Sequence, residues 1–105
     1  MPNPENLLRK IHAYDPNADL TMVRLAFDFA REAHEGQTRT SGEPYITHPL
    51  AAAEILAEMR FPVNIVIAGL LHDVPEDTKK TVADIRKDFG DDVAGIVAGI
   101  TKLGK

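Results

Sequence analysis

The chain has 105 residues, 44% of them hydrophobic, a formal net charge of −4 and no cysteine. That length accommodates one small domain, whose core must be dense in apolar side chains. The acidic balance without a long basic block argues against nucleic acid as a direct partner, and the lack of cysteine removes disulfides, thiolate nucleophiles and cysteine-based zinc sites together.

The opening MPNPENLLRK has no apolar export region, and no segment approaches about 18 uncharged apolar residues, so the expected setting is cytoplasmic with no membrane partner. Residues 1–17 read as a lead-in: a helix over 4–13 with Leu7, Leu8 and Ile11 on one face, a lid or packing helix, closed by Tyr14-Asp15-Pro16-Asn17. Asp19 can cap a second helix, in which Leu20, Val23, Ala26, Phe27, Ala30 and His34 recur at helical spacing until Gly36 stops it. His34 ends that stripe and reads as a core-edge histidine bonding backbone, in preference to a ligand. From Gln37 to Tyr45 there are turn residues and hydrogen-bonding groups without a helical period, which predicts a loop of functional length.

Pro49 suits a first helical position and would put His48 at the helix cap with its ring free. Leu50 to Met59 is apolar apart from Glu54 and Glu58, so this helix is expected to be largely buried. Pro62 opens the next, whose run Ile65-Val66-Ile67-Ala68-Gly69-Leu70-Leu71 is apolar on every face and predicts the central helix of the domain. Pro75 lacks an N–H and crowds the carbonyl of Leu71, so that helix should end near Asp73, leaving Glu76 and Asp77 on the following turn. Thr81-Val82-Ala83-Asp84 has capping-box form, Ile85 and Phe89 share a face with Val82, and Gly90 ends the helix. Asp91 can cap a last helix carrying Val93, Ile96, Val97 and Ile100 on to Leu103. No stretch alternates with period two, and the expected fold class is all-α.

The chemistry gathers where the central apolar run meets His72-Asp73-Val74-Pro75-Glu76-Asp77. The dipeptide His72-Asp73 taken alone reads as a helix-terminal histidine followed by an acidic turn. Two acids beside a helix C-terminus need compensation, which a divalent cation accepting nitrogen and oxygen would supply, and a neighbouring Glu-Asp pair suits proton transfer from water. His48 begins one buried helix and His72 ends another.

Arg39-Thr40-Ser41-Gly42-Glu43-Pro44-Tyr45-Ile46-Thr47-His48-Pro49, then Leu71-His72-Asp73, Glu76-Asp77-Thr78, Phe89-Gly90 and Thr101-Lys102-Leu103, together resemble the N-terminal HD hydrolase domain of the RelA/SpoT (Rel) alarmone enzymes. Tyr14-Asp15-Pro16 and Ala18-Asp19 resemble the long, multidomain members. The resemblance implies an HD-like bundle of about five to six helices, C-terminally incomplete, forming one partial domain over residues 1–105. It implies that His48, His72 and Asp73 ligate Mn2+ and that Glu76 and Asp77 position and activate water. The implied reaction removes the 3′-pyrophosphate of (p)ppGpp to give GDP or GTP in the stringent response. Arg39 is implied to stack on the guanine, with Ser41 in the same base-binding loop. Members that only synthesise the alarmone have degraded His-Asp and Glu-Asp motifs, and both are intact here, which implies a hydrolase-competent parent that can also carry a GTP pyrophosphokinase domain.

Two departures stand out. Pro75 replaces an aliphatic residue found in many relatives, and the family's fourth ligand, an Asp in a later helix, has no counterpart in this chain. The fragment is therefore expected to bind metal weakly and to turn over little, with the rest of a longer Rel-type chain as its partner. The alternative readings are an HD phosphohydrolase for another nucleotide and a non-catalytic helical module that, through the apolar face of the last helix, forms a homo-oligomer or docks on its parent.

Overall fold

The computed structural model describes residues 2–103, and among them there are seven helical segments and no strand: α1 (Glu5–Tyr14), α2 (Leu20–Ala33), α3 (Thr47–Glu58), α4 (Val63–Leu71), α5 (Val74–Asp77), α6 (Val82–Phe89) and α7 (Asp91–Leu103). Six have eight or more residues and α5 is a single turn, in agreement with the all-α expectation. No helix among the described residues is long and apolar enough to cross a membrane.

α4 is the hub, packed against α2, α3 and α7. The six consecutive residues Val66 to Leu71 are all buried, because after Asn64 the helix has no polar face to turn to solvent. Full burial of a side chain such as Leu70 or Leu71 contributes on the order of 2 kcal/mol. α3 reaches α4 closely at Gly69, where an added Cβ would lie 2.7 Å from Leu56 Cδ1. α1 is a packing helix: Leu7, Leu8 and Ile11 are buried, and the Tyr14 hydroxyl donates to the Phe61 carbonyl at 2.6 Å.

Proline placement differs from the sequence expectation in two instructive ways. α4 ends at Leu71 with His72 as its C-cap, and Pro75 sits in the first turn of α5, where a missing N–H removes no intrahelical bond. Glu76 and Asp77 thus stand on a helical turn that holds their backbone fixed. Similarly α3 begins at Thr47, so Pro49 is its third residue and His48 lies inside the helix rather than at the cap. Both prolines still fall among the first N–H groups that need no helical acceptor.

The other boundaries follow local chemistry. Asp19 accepts from the Met22 N–H at 3.1 Å, and the Thr81/Asp84 capping box forms in both directions. α7 starts at Asp91 itself, whose cap position falls to Gly90, and the Gly90 carbonyl accepts from Ala94 at 3.1 Å. α7 turns Val93, Ala94 and Val97 inward and leaves Ile96 part-buried and Ile100 40% exposed, a narrower apolar face than the sequence stripe. The expectations that concern the Leu103 side chain, Gly104 and Lys105 lie outside the described residues.

Candidate metal centre

The first turn of α3 brings His48, and the C-terminus of α4 brings His72 and Asp73, to one place: their ligand atoms all lie within 4.8 Å of one another. Asp73 faces both rings, with Oδ2 3.4 Å from His48 Nε2 and Oδ1 3.2 Å from His72 Nε2. His72 Nδ1 lies 2.6 Å from the Gly69 carbonyl oxygen. A carbonyl only accepts, so Nδ1 carries a proton, and in the neutral ring Nε2 is the accepting nitrogen that faces Asp73. A lone pair and a carboxylate oxygen at that distance repel unless a proton or a metal ion joins them. Backbone anchoring of the far ring nitrogen is the usual support of a metal-bound histidine, and two imidazoles with one carboxylate suit a borderline divalent cation. The donor set therefore fits a metal.

Asp77 belongs to the same cluster through a residue that the sequence reading named only as part of a motif. The Tyr45 hydroxyl donates to Asp73 Oδ2 at 2.9 Å and lies 3.3 Å from Asp77 Oδ2. Burial, then the hydrogen bond and charge of Asp73 and the charge of Asp77, hold the Tyr45 pKa well above its ordinary range, so the phenol remains a donor. The available signal for Tyr45 was its place three residues before His48, close enough in sequence to share the mouth of α3.

His34 supports this cluster from behind. It is 2% exposed, its ring centroid lies 4.6 Å from that of Tyr45, and its Nδ1 is 3.2 Å from Gln37 Oε1. Gln37 Nε2 donates to the Asp77 carbonyl at 2.8 Å, which turns Oε1 toward His34 and makes Nδ1 the donor. His34 is thus a core histidine whose partner is a side chain, where backbone was expected.

The remaining candidates sit at the rim. Glu76 is exposed and opens on a cleft of about 560 Å³ that it shares with Glu32, Gln37, Asp77, Lys79 and Lys80. Arg39 and Ser41 are exposed on the loop pinched by the Thr38–Pro44 bridge, where the Arg39 N–H donates to the Glu43 carbonyl at 2.8 Å and Gly42 takes a φ of +90°. Ser41 Oγ donates to Glu43 Oε1 at 3.2 Å. Among the described residues, no hydrogen bond or ion pair ties Arg39, Ser41 or Glu76 to the metal group.

A helical bundle with a His…His-Asp group at its centre defines a class, and residues 26–105 match the HD domain family, to which the chain belongs. Within it, the chain is 52% identical over 101 residues, 96% of its length, to the bifunctional (p)ppGpp synthase/hydrolase SpoT of Escherichia coli (strain K12). It is 48% identical over 104 residues to a GTP pyrophosphokinase of Streptomyces antibioticus. The chain spans only 14% and 12% of the length of these two relatives. The solved structure of a metazoan ortholog of SpoT that hydrolyzes ppGpp superposes with a TM-score of 0.71 at 31% identity, covering 75% of this chain and 47% of that one.

Proposed function

We propose that the chain is the metal-holding part of a SpoT/Rel-type hydrolase that removes the 3′-pyrophosphate of (p)ppGpp, giving GDP or GTP, in the cytoplasmic stringent response. The observation that carries this reading is the convergence of His48, His72 and Asp73, with Asp77 tied to the same group through Tyr45. The names of the similar proteins support the substrate. In this reading residues 1–105 are one part of the HD domain, 1–17 being its lead-in, and the rest of a longer chain is the partner that completes it.

His48, His72 and Asp73 would hold Mn2+, with a fourth carboxylate from outside these residues. A cation there supplies Lewis acidity and neutralises charge on the diphosphate. The chain's own acids do the proton work. Water adds to phosphorus as the bond to the ribose 3′-oxygen breaks, so one proton leaves the water and one reaches the departing oxygen. Asp77, beside Asp73, takes the first, with exposed Glu76 aiding in positioning the water, and the carboxyl so formed can return it. Arg39 offers its guanidinium plane to the guanine face, and Ser41 lies in the same loop.

The test is to incubate the full-length protein containing these residues with ppGpp and Mn2+ and to measure GDP and pyrophosphate. Stoichiometric release supports the reading. Intact ppGpp together with hydrolysis of another nucleotide would make it a different HD phosphohydrolase.

A further inference from the structure

Asp73 and Asp77 are four residues apart and carry like charges, yet their carboxylates converge on one phenol. The Tyr45 hydroxyl lies 2.9 Å from Asp73 Oδ2 and 3.3 Å from Asp77 Oδ2. Asp77 is exposed, so without that donor its carboxylate would gain by turning to water, away from Asp73. The donor itself is held firmly. The Tyr45 ring stacks on buried His34 at 4.6 Å, meets the His48 ring edgewise at 5.7 Å, and its N–H donates to the Gln37 carbonyl at 3.0 Å. The Gln37 side chain in turn holds the Asp77 carbonyl at 2.8 Å. Loop and helical turn are thus cross-linked through both the backbone and the side chain of Asp77.

We infer that Tyr45 is a positioning residue whose hydroxyl sets the rotation of the Asp73 carboxylate and keeps the Asp77 carboxylate beside it. The inference rests on the metal-site reading above for its consequence, and on hydrogen-bond geometry for its substance. Asp73 offers Oδ1 to His72 while its Oδ2 accepts from Tyr45 and faces His48 Nε2 at 3.4 Å, and Tyr45 is the hydroxyl among these partners. Second-layer donors of this kind typically change metal affinity by about 10–100-fold when removed.

Tyr45→Phe removes the oxygen and keeps the ring that packs on His34. In the 105-residue chain without metal, the side-chain carboxyl carbon resonances of Asp73 and Asp77 should both move, while that of Asp84 stays in place. In a Mn2+ titration, the variant should bind at least about tenfold more weakly, with its metal-free thermal midpoint close to that of the unaltered chain. Unmoved Asp73 and Asp77 resonances would overturn the inference, as would unchanged Mn2+ affinity accompanied by a large loss of thermal stability, which marks a purely structural tyrosine. If His72→Ala binds Mn2+ as well as the unaltered chain, the metal reading fails on its own, and the carboxyl resonances still decide the role of Tyr45.

Discussion

A single contact to backbone determines what His72 can do. With Nδ1 bonded to the Gly69 carbonyl, Nε2 is the accepting nitrogen of the neutral ring, and it faces Asp73 at 3.2 Å. His34, by contrast, has Nδ1 bonded to Gln37 and its other nitrogen enclosed without a partner among the described residues. His72→Ala should therefore abolish specific Mn2+ binding, whereas His34→Ala should retain most of it and cost about 1–3 kcal/mol of stability. Metal titration and thermal denaturation of both variants separate the two, and equal loss of metal would show the histidines exchanged. Arg39 carries a different kind of claim, because it stands nine residues before His48 and makes no ion pair among the described residues. Arg39→Ala should raise KM for guanine alarmones in the full-length protein while leaving metal affinity alone, and an unchanged KM would remove it from the site.

Two helix ends make predictions of their own. α3 closes with Arg60 at a φ of 61°, the Phe61 N–H bonding to the Leu56 carbonyl at 3.1 Å and the Arg60 N–H to the Ala57 carbonyl at 2.9 Å. This is a helix-ending motif that usually employs glycine, and a side chain in the left-handed region costs about 1 kcal/mol. Arg60→Gly should accordingly raise the denaturant midpoint modestly despite the added freedom of the unfolded chain, and a lower midpoint would show that the arginine side chain contributes more than its backbone costs. At α6, the hydrogen bond from the Thr81 N–H holds the Asp84 carboxyl below its ordinary pKa. A carboxyl depressed by folding stabilises above its unfolded value and loses that contribution as pH falls below about 4. Stability measured through that window should fall less in Asp84→Asn than in the unaltered chain, and parallel curves would dismiss the cap as a source of the pH dependence.

For the molecule as a whole, the proposed metal joins α3 to the end of α4, so binding should be felt as global stability. Excess Mn2+ should raise the thermal midpoint of the unaltered chain, with saturation at 100 times Kd adding about 2.7 kcal/mol, and should leave His72→Ala unmoved. Because these residues provide three protein ligands where four are proposed, the Kd itself should be weak. Tight binding by the chain alone would mean that Asp77 completes the set in place of an outside carboxylate.

Much of this was legible in the sequence, because the signals concerned are local. Caps at Asp19 and Thr81, the stop at Gly90 and the apolar run that makes α4 central all act over a few residues, and the structure reproduces them. The motif residues His48, His72 and Asp73 could be named together through the family resemblance of their motifs, although nothing in the order states that His72 and Asp73, 24 and 25 residues on, return to within 4.8 Å of His48. That distance is set by how α3 and α4 cross at Gly69. The same crossing, with the loop packed on His34, aims the Tyr45 hydroxyl at carboxylates 28 and 32 residues away. A hydroxyl's partner across such a span follows from packing in three dimensions, which periodicity and capping do not encode. Tertiary structure alone could therefore make Tyr45 the link between Asp73 and Asp77.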